Sequence, residues 1–380
     1  MKLIKRTIAV VVALSVIIGC LYGISSAADK YDIYPIAENH SLNGKIIFLD
    51  AGHGKGNLNG AGTYLEHEGN LTIALLVKQN LENCGATVIM TRPDETDVDS
   101  YERMALVNKT ALQEIRKEYV KNLENTSLET QKAKLQENIN EIDELIAVMQ
   151  TVIDDPELSP KYFNSPWAIN TRISSELKRI FEYEACQTIQ ENMLLLSIHA
   201  NAATGSGYTS VKGTVTYYLN NTFSDNLKYY TDYAFVDQSI AFSQLIQDNV
   251  VNAGNFKDRG LAVNNFFMLR ECNMPACLLE VAFFTNSSDR AKLQNESYQK
   301  RIATGITYAI QEYFEIYGGI DYLMGDINDD GIISNADVIA IARFLVDLIP
   351  EPDLMIADFD NDGAVTNSDL LELARIIVNS

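Results

Sequence analysis

From Lys45 onward the chain alternates short, wholly apolar runs with longer amphipathic ones. Lys45-Ile46-Ile47-Phe48-Leu49-Asp50 has strand length and no polar face, as a strand covered on both sides requires, and it ends in Ala51-Gly52-His53-Gly54. A helix is predicted from about Asn70, with Leu71, Ala74, Leu75 and Leu81 on one face, and Cys84-Gly85 closes it. Ala86 to Thr91 reads as a second strand. Strand, helix and strand at this spacing make a βαβ unit, so the fold class is α/β, with a mostly parallel sheet and helices on both faces.

A helical interlude follows. Leu112, Ile115, Tyr119 and Leu123 mark one amphipathic helix, and Thr126 with Glu129 fits a capping box opening a second. Leu135, Ile139, Ile142, Ile146, Met149 and Ile153 recur at steps of 4 and 3, the seam of a helical hairpin. A loop over Asp154 to Pro166 leads to a third predicted helix, about Ile169 to Asn192. The sheet resumes at Leu194-Leu195-Leu196-Ser197-Ile198-His199, with further strands predicted at Gly213 to Leu219, Phe266 to Arg270 and Cys277 to Val281. Helices fit Ser239 to Asn252 and Tyr298 to Phe314, and Gly318-Gly319 ends this part of the chain.

The N-terminus has another pattern. Lys2, Lys5 and Arg6 precede an apolar run from Thr7 to Ile24, and Ser25, Ser26, Ala27 and Ala28 supply small residues for cleavage. This predicts a signal peptide over 1–28, a polar linker over 29–43 and a secreted or cell-wall-associated product. Ile17-Ile18-Gly19-Cys20 loosely resembles a lipobox, so lipoprotein anchoring through Cys20 stands as an alternative, and a retained membrane anchor as a third.

The net charge of −21 argues against nucleic acid or an anionic membrane as partner. The last 56 residues hold twelve acidic and two basic residues, which marks a separate module in need of cations. Cys84, Cys186, Cys272 and Cys277 show no CxxC spacing and read as small buried hydrophobes rather than a disulfide scaffold or thiolate metal site.

That tail repeats itself. Asp326-Ile327-Asn328-Asp329-Asp330-Gly331 is followed by Asp337, and Asp358-Phe359-Asp360-Asn361-Asp362-Gly363 by Asp369. Oxygen ligands at loop positions 1, 3 and 5, Gly at 6 and a carboxylate at 12 form the EF-hand calcium pattern, with position 7 giving a backbone carbonyl, here Ile332 and Ala364. The predicted calcium ligands are therefore Asp326, Asn328, Asp330, Ile332 and Asp337, then Asp358, Asp360, Asp362, Ala364 and Asp369. With Asp at position 12 and one helix after each loop, the segment from Gly325 to Asn379 resembles a type I dockerin. That resemblance implies a small all-α calcium-binding domain over 321–380 that binds a cohesin domain of a scaffolding protein. Positions 10 and 11, Asn335-Ala336 and Asn367-Ser368, depart from the Ser-Thr pair often found there.

The four histidines are His40, His53, His67 and His199. His53 and His199 each follow an apolar run at a strand end, where ligands bind in open α/β sheets. A lone histidine there reads as structural; two at equivalent strand ends, with glutamates nearby, suggest a metal site. Leu49-Asp50-Ala51-Gly52-His53-Gly54, Glu66 through Asn70-Leu71, Met90-Thr91-Arg92, Arg103 with Asn108, Ser197-Ile198-His199-Ala200-Asn201 and Leu279 to Asn286 form six ordered blocks. They resemble the zinc-dependent N-acetylmuramoyl-L-alanine amidases of the family-3 type, from about Gly44 to Tyr317. The resemblance implies a catalytic domain over 44–318 that hydrolyses the amide between N-acetylmuramic acid and L-alanine in peptidoglycan. It implies zinc on His53, Glu66 and His199, and Glu280 as the catalytic carboxylate. Glu68 also precedes the helix; the family spacing to Asn70 selects Glu66.

Asn201 and Arg270 are expected either to contact substrate carboxylates or to serve as a loop cap and a sheet-edge salt bridge. A zinc peptidase and a non-catalytic wall-binding protein are the competing readings. The helical insertion at about 109–192 is long for this family, and its hairpin is expected to be either a lid over the groove or an added outer layer.

Overall fold

The computed structural model describes residues 30–379 apart from 127, 167–172, 204–208, 222–229, 231–232, 319–324, 329–331, 347, 350–351, 353–356 and 360–363. The expected signal peptide lies outside the described residues. Among those described, no helix is long and apolar enough to cross a membrane.

The first strand, β1 (Ile46–Ala51), is followed by a two-residue hairpin of β2 (Gly60–Ala61) and β3 (Tyr64–Leu65), helix α1 (Glu66–Asn83) and β4 (Thr87–Met90). Helices α2 (Ser100–Asn125) and α3 (Glu129–Asp154) form the hairpin, and a 3-10 turn (Pro156–Lys161), α4 (Ser175–Glu184) and α5 (Gln187–Asn192) lead to β5 (Met193–Asn201). Then come β6 (Thr214–Tyr218), α6 (Val236–Gly254), β7 (Asp258–Val263), α7 (Phe267–Arg270), β8 (Ala276–Phe283), α8 (Ser287–Leu293) and α9 (Glu296–Tyr317).

The six-stranded sheet has the order β4-β1-β5-β8-β6-β7. Strands β4, β1, β5 and β8 run parallel, whereas β6 is antiparallel to β8 and parallel to β7. Because side chains alternate along a strand, β1 sends Ile47 and Leu49 into one apolar layer and Phe48 into the other. The first layer is roofed by α1, α6 and α9, through Val77, Ile246 and Ile306 among others. The second is roofed by α2, α3 and α4, through Leu112, Met149 and Ile180. Each such fully buried side chain stabilises the fold by roughly 1.5–3 kcal/mol relative to exposure.

Several elements differ from expectation. Helix α1 begins at Glu66 rather than Asn70, since acidic residues suit a first turn, and Leu75 is 43% exposed rather than on the buried face. No capping box opens α3: the Thr126 N–H closes α2 on the Asn122 carbonyl, and its hydroxyl meets Gln131 at 2.6 Å. The buried line of α3 is Ile139, Ile142, Leu145, Met149 and Val152, with Ile146 and Ile153 only partly covered. The expected third helix is divided at Ala185-Cys186, and its first residues lie outside those described.

Phe266 to Arg270 is not a strand. The Leu269 and Arg270 N–H groups both turn back to the Phe266 carbonyl, making the short α7, while the unpredicted β7 takes the sheet edge. The expected linker is packed rather than free: Tyr31, Ile36 and Leu42 are buried, and the Tyr31 hydroxyl meets Asn249 at 2.9 Å. All four described cysteines are free, three of them buried.

In the acidic tail, α10 (Asn335–Phe344) and α11 (Asn367–Asn379) each follow a loop, and Ile341, Ala357, Val365 and Leu373 form a small core.

Candidate metal centre and its groove

β1 and β5 are parallel neighbours, so their C-terminal ends stand side by side. His53 lies just past β1 with φ of 63°, the left-handed region that few residues other than Gly occupy, and such strain gathers where a side chain must be aimed. His199 is inside β5, and the register sets it directly beside Glu280 of β8. Glu66, the first residue of α1, closes the group: its Oε1 is 3.0 Å from His53 Nε2 and 3.2 Å from His199 Nδ1. Ligand atoms of His53, Glu66 and His199 all fall within 4.8 Å of one another, as one metal ion requires. Glu68 is exposed and outside this cluster, and His40 and His67 also lie apart from it.

Close approach of β1 to the cluster depends on Gly52, where a Cβ would stand 2.3 Å from the His199 ring. Behind the ligands lies a buried polar network that the sequence reading left without a role. Asp50 accepts hydrogen bonds from Thr91 (2.6 Å), Ser197 (2.6 Å) and Arg103 (3.0 Å). Burial raises its carboxyl, but Arg103 and the two hydroxyls outweigh burial and hold it at about 2. Arg103 also donates to the carbonyls of Ala51 and His53, fixing the β1 exit. Asn70 donates to the Gly52 carbonyl at 3.2 Å and approaches Glu66 at 3.5 Å; Asn57 meets His53 Nδ1 at 2.7 Å. Charged residues inside otherwise apolar runs, Asp50 above all, were the available sign of this network.

Burial likewise acts to raise Glu66, but hydrogen bonds from His199 and His53 hold its carboxyl at about 2. Glu280 is pushed well above the usual carboxylate range by burial and then by the nearby Glu66 charge. Its Oε2 is buried with no hydrogen-bond partner. An orphaned carboxylate oxygen beside two imidazoles and a second carboxylate suits a cation, which offsets the repulsion between the acids.

A groove of about 780 Å³ carries His53, His199 and Glu280 on its lining, with an apolar wall of Pro166, Phe266, Phe267 and Met268. Among the described residues, none of α3 lines it, whereas Ser100 and Arg103 at the start of α2 and Pro166, in the loop beyond the 3-10 turn, do; α3 packs as an outer layer. Arg270 does not reach it. The side chain is fully buried and paired with Glu271 at 2.7 Å, which removes it from direct substrate contact and makes it an internal strut rather than an edge pair. Asn201 lies past a bulge after His199, opposite Phe283, and its carbonyl accepts from the Phe284 N–H at 2.9 Å.

In the tail, the described parts of the two repeats bond their last carboxylate alike. Asp337 accepts from the N–H groups of Ile327 (2.8 Å) and Ser334 (2.8 Å), and Asp369 from those of Phe359 (2.7 Å) and Thr366 (2.7 Å). Each position-12 carboxylate thus ties its loop's start to the cap of the helix it opens. Asp326, Asp337, Asp358 and Asp369 are buried, and Asn328, Ile332 and Ala364 stand in the described parts of the loops. The predicted ligands Asp330, Asp360 and Asp362 lie outside the described residues.

The Bacillus subtilis protein YqiI, itself uncharacterized, is 33% identical over 122 residues, which is 32% of this chain and 52% of YqiI. The N-acetylmuramoyl-L-alanine amidase LytC of Bacillus subtilis is 32% identical over 121 residues, 32% of this chain and 21% of LytC. The chain thus spans about half of the first relative and about a fifth of the second. A crystal structure of an N-acetylmuramoyl-L-alanine amidase from Clostridium difficile aligns with a TM-score of 0.44 at 22% identity, covering 72% of this chain and 98% of that one. The family model described as N-acetylmuramoyl-L-alanine amidase matches residues 47–115 and 168–312, omitting the last ten residues of α2, all of α3 and the 3-10 turn. The model of the type I dockerin domain matches residues 324–378. With more than half of its length inside the first match, the chain belongs to the N-acetylmuramoyl-L-alanine amidase family and carries a type I dockerin domain.

Proposed function

We propose that this chain is a secreted zinc hydrolase that cleaves the amide between N-acetylmuramic acid and L-alanine in peptidoglycan. The carrying observation is the convergence of His53, Glu66 and His199 within 4.8 Å in a groove that also presents Glu280. Two imidazoles and one carboxylate make the donor set of a catalytic zinc site with a position left open. Zinc bound there supplies Lewis acidity toward the amide carbonyl and makes water acidic enough to lose a proton near neutral pH.

The protein's own part is positional and acid–base. His53, Glu66 and His199 hold the ion, and the Asp50 network fixes the loop that aims His53. Glu280 takes the proton of the attacking water and delivers it to the amide nitrogen as the carbon–nitrogen bond breaks, so L-alanine leaves with a free amine. Its place on the groove lining, directly beside His199 in the strand register, suits a carboxylate that must accept a proton and give it back. Asn201 is assigned a lesser part at the end of β5.

The C-terminal module is proposed to fold around two calcium ions held by Asp326, Asn328, Asp330, Ile332 and Asp337 and by Asp358, Asp360, Asp362, Ala364 and Asp369, and to dock the enzyme to a cohesin domain. The matched backbone bonding of Asp337 and Asp369 supports two equivalent loops.

Mass spectrometry of peptidoglycan digested with the protein tests the reaction. Stem peptides with N-terminal L-alanine are expected. Cuts only between amino acids identify a peptidase, and intact peptidoglycan with bound protein identifies a wall-binding protein; either overturns the proposal.

A further inference from the structure

Arg270 is among the largest wholly buried side chains, and a charge in that position is expensive unless every donor is answered. Here two arms of the guanidinium go to residues flanking α7 and the third goes to the loop before Pro166. Nε donates to Glu271 at 2.7 Å, Nη1 to Asn265 at 3.1 Å, and Nη2 to the Ser165 carbonyl at 2.7 Å. Glu271 accepts in turn from the Tyr230 hydroxyl at 2.8 Å, and Asn164 donates to that hydroxyl at 2.6 Å. Asn108 of α2 holds the Glu271 carbonyl at 3.0 Å.

Two of the segments so joined form the groove's apolar wall. Ser165 immediately precedes Pro166, and Arg270 ends the short helix that carries Phe267 and Met268. The Arg270 guanidinium also lies 5.6 Å from the Phe267 ring centre, and Phe163 packs on that ring at 6.0 Å. The groove wall is thus built from the tail of the inserted segment and from α7, with the ion pair between them.

We propose that Arg270 and Glu271 are positioning residues, whose buried pair fastens the inserted segment to α7 and fixes the apolar wall against which substrate binds. The proposal rests on the preceding reading that the groove takes muropeptide. An apolar wall acts alike on bound substrate and transition state, so loosening it weakens binding and leaves turnover in place. Lysine cannot substitute, because its ammonium is a point charge and cannot span three acceptors in fixed directions.

The test compares full-length, zinc-loaded wild type with Tyr230→Phe, Asn164→Ala and Arg270→Lys on a soluble muropeptide. KM should rise about tenfold in Arg270→Lys and several-fold in the other two, with kcat within about twofold of wild type and zinc content unchanged. Tyr230→Phe removes one hydroxyl and leaves the ion pair, so it remains informative if Arg270→Lys does not fold. An unchanged KM in both Tyr230→Phe and Asn164→Ala overturns the proposal. So does a fall in kcat that tracks a lower folded fraction at constant KM, the mark of a merely structural role. If wild type releases no stem peptide at all, the amidase reading fails separately. Co-sedimentation with purified sacculi then decides the clamp: weaker binding of the variants supports it, and equal binding overturns it.

Discussion

A single methyl group at Gly52 tests the geometry of the metal centre. In Gly52→Ala the new Cβ falls 2.3 Å from His199 Cε1 and Nε2 and 2.6 Å from Cδ2. Ordinary contact begins near 3.4 Å, so the ring must retreat by about 1 Å. The backbone has little room to yield instead. The Gly52 N–H donates to the Ile198 carbonyl at 2.9 Å, and the Gly52 carbonyl is held by Asn70 at 3.2 Å and Arg92 at 3.4 Å. Overpacking of this kind costs about 1–3 kcal/mol, which lowers Tm by several degrees without unfolding the domain. A displacement of about 1 Å in a ligand costs on the order of 10² in turnover, and loss of ligand orientation about 10- to 100-fold in metal affinity. Zinc affinity by competition with a chromophoric chelator, and release of L-alanine-terminated peptides, read the two effects. Wild-type affinity and turnover in Gly52→Ala would refute the argument that His199 is held against β1 as a ligand.

Other outcomes follow from the same structure. Glu280→Ala is expected to keep zinc while losing about 10² or more in turnover, and near-full activity would end its role as proton carrier. Asp50, held at about 2 against an ordinary 3.8, contributes stability on the order of 2 kcal/mol above pH 4; this is lost as pH falls through about 2, and Asp50→Asn should be destabilised at neutral pH in urea unfolding. Limited proteolysis of the full chain should spare the region after Gly325 in calcium and cut it in chelator, with no difference counting against the calcium loops. Replacing residues 121–137, the mostly exposed tip of the hairpin, with a short Gly-Ser turn should leave zinc content and turnover unchanged, and a large change in either would restore a lid role.

Periodicity and spacing along the chain encode what local physics sets. The unbroken apolar runs before His53 and His199 specify strands because nothing but a buried parallel strand hides Ile46 to Leu49 or Leu194 to Leu196. The two acidic loops were equally legible, since a calcium loop carries its ligands within twelve consecutive positions. Boundaries and faces were less so. Leu75 matches the apolar rhythm of α1 yet stays exposed, because only the packed neighbours determine how wide a buried stripe is. Phe266 to Arg270 looked like a strand and became a helix once β7 took the sheet edge.

The sequence by itself determined the α/β class, the strand ends that carry the two histidines, and the repeated acidic loops, because each is encoded within a few turns or one strand. Family spacing had already selected Glu66 over Glu68; tertiary structure alone decided that α3 roofs the sheet instead of the groove and that Arg270 is a buried strut. Those outcomes depend on contacts between residues far apart in the chain, such as Ser165 with Arg270, whose partners are set by strand order and register.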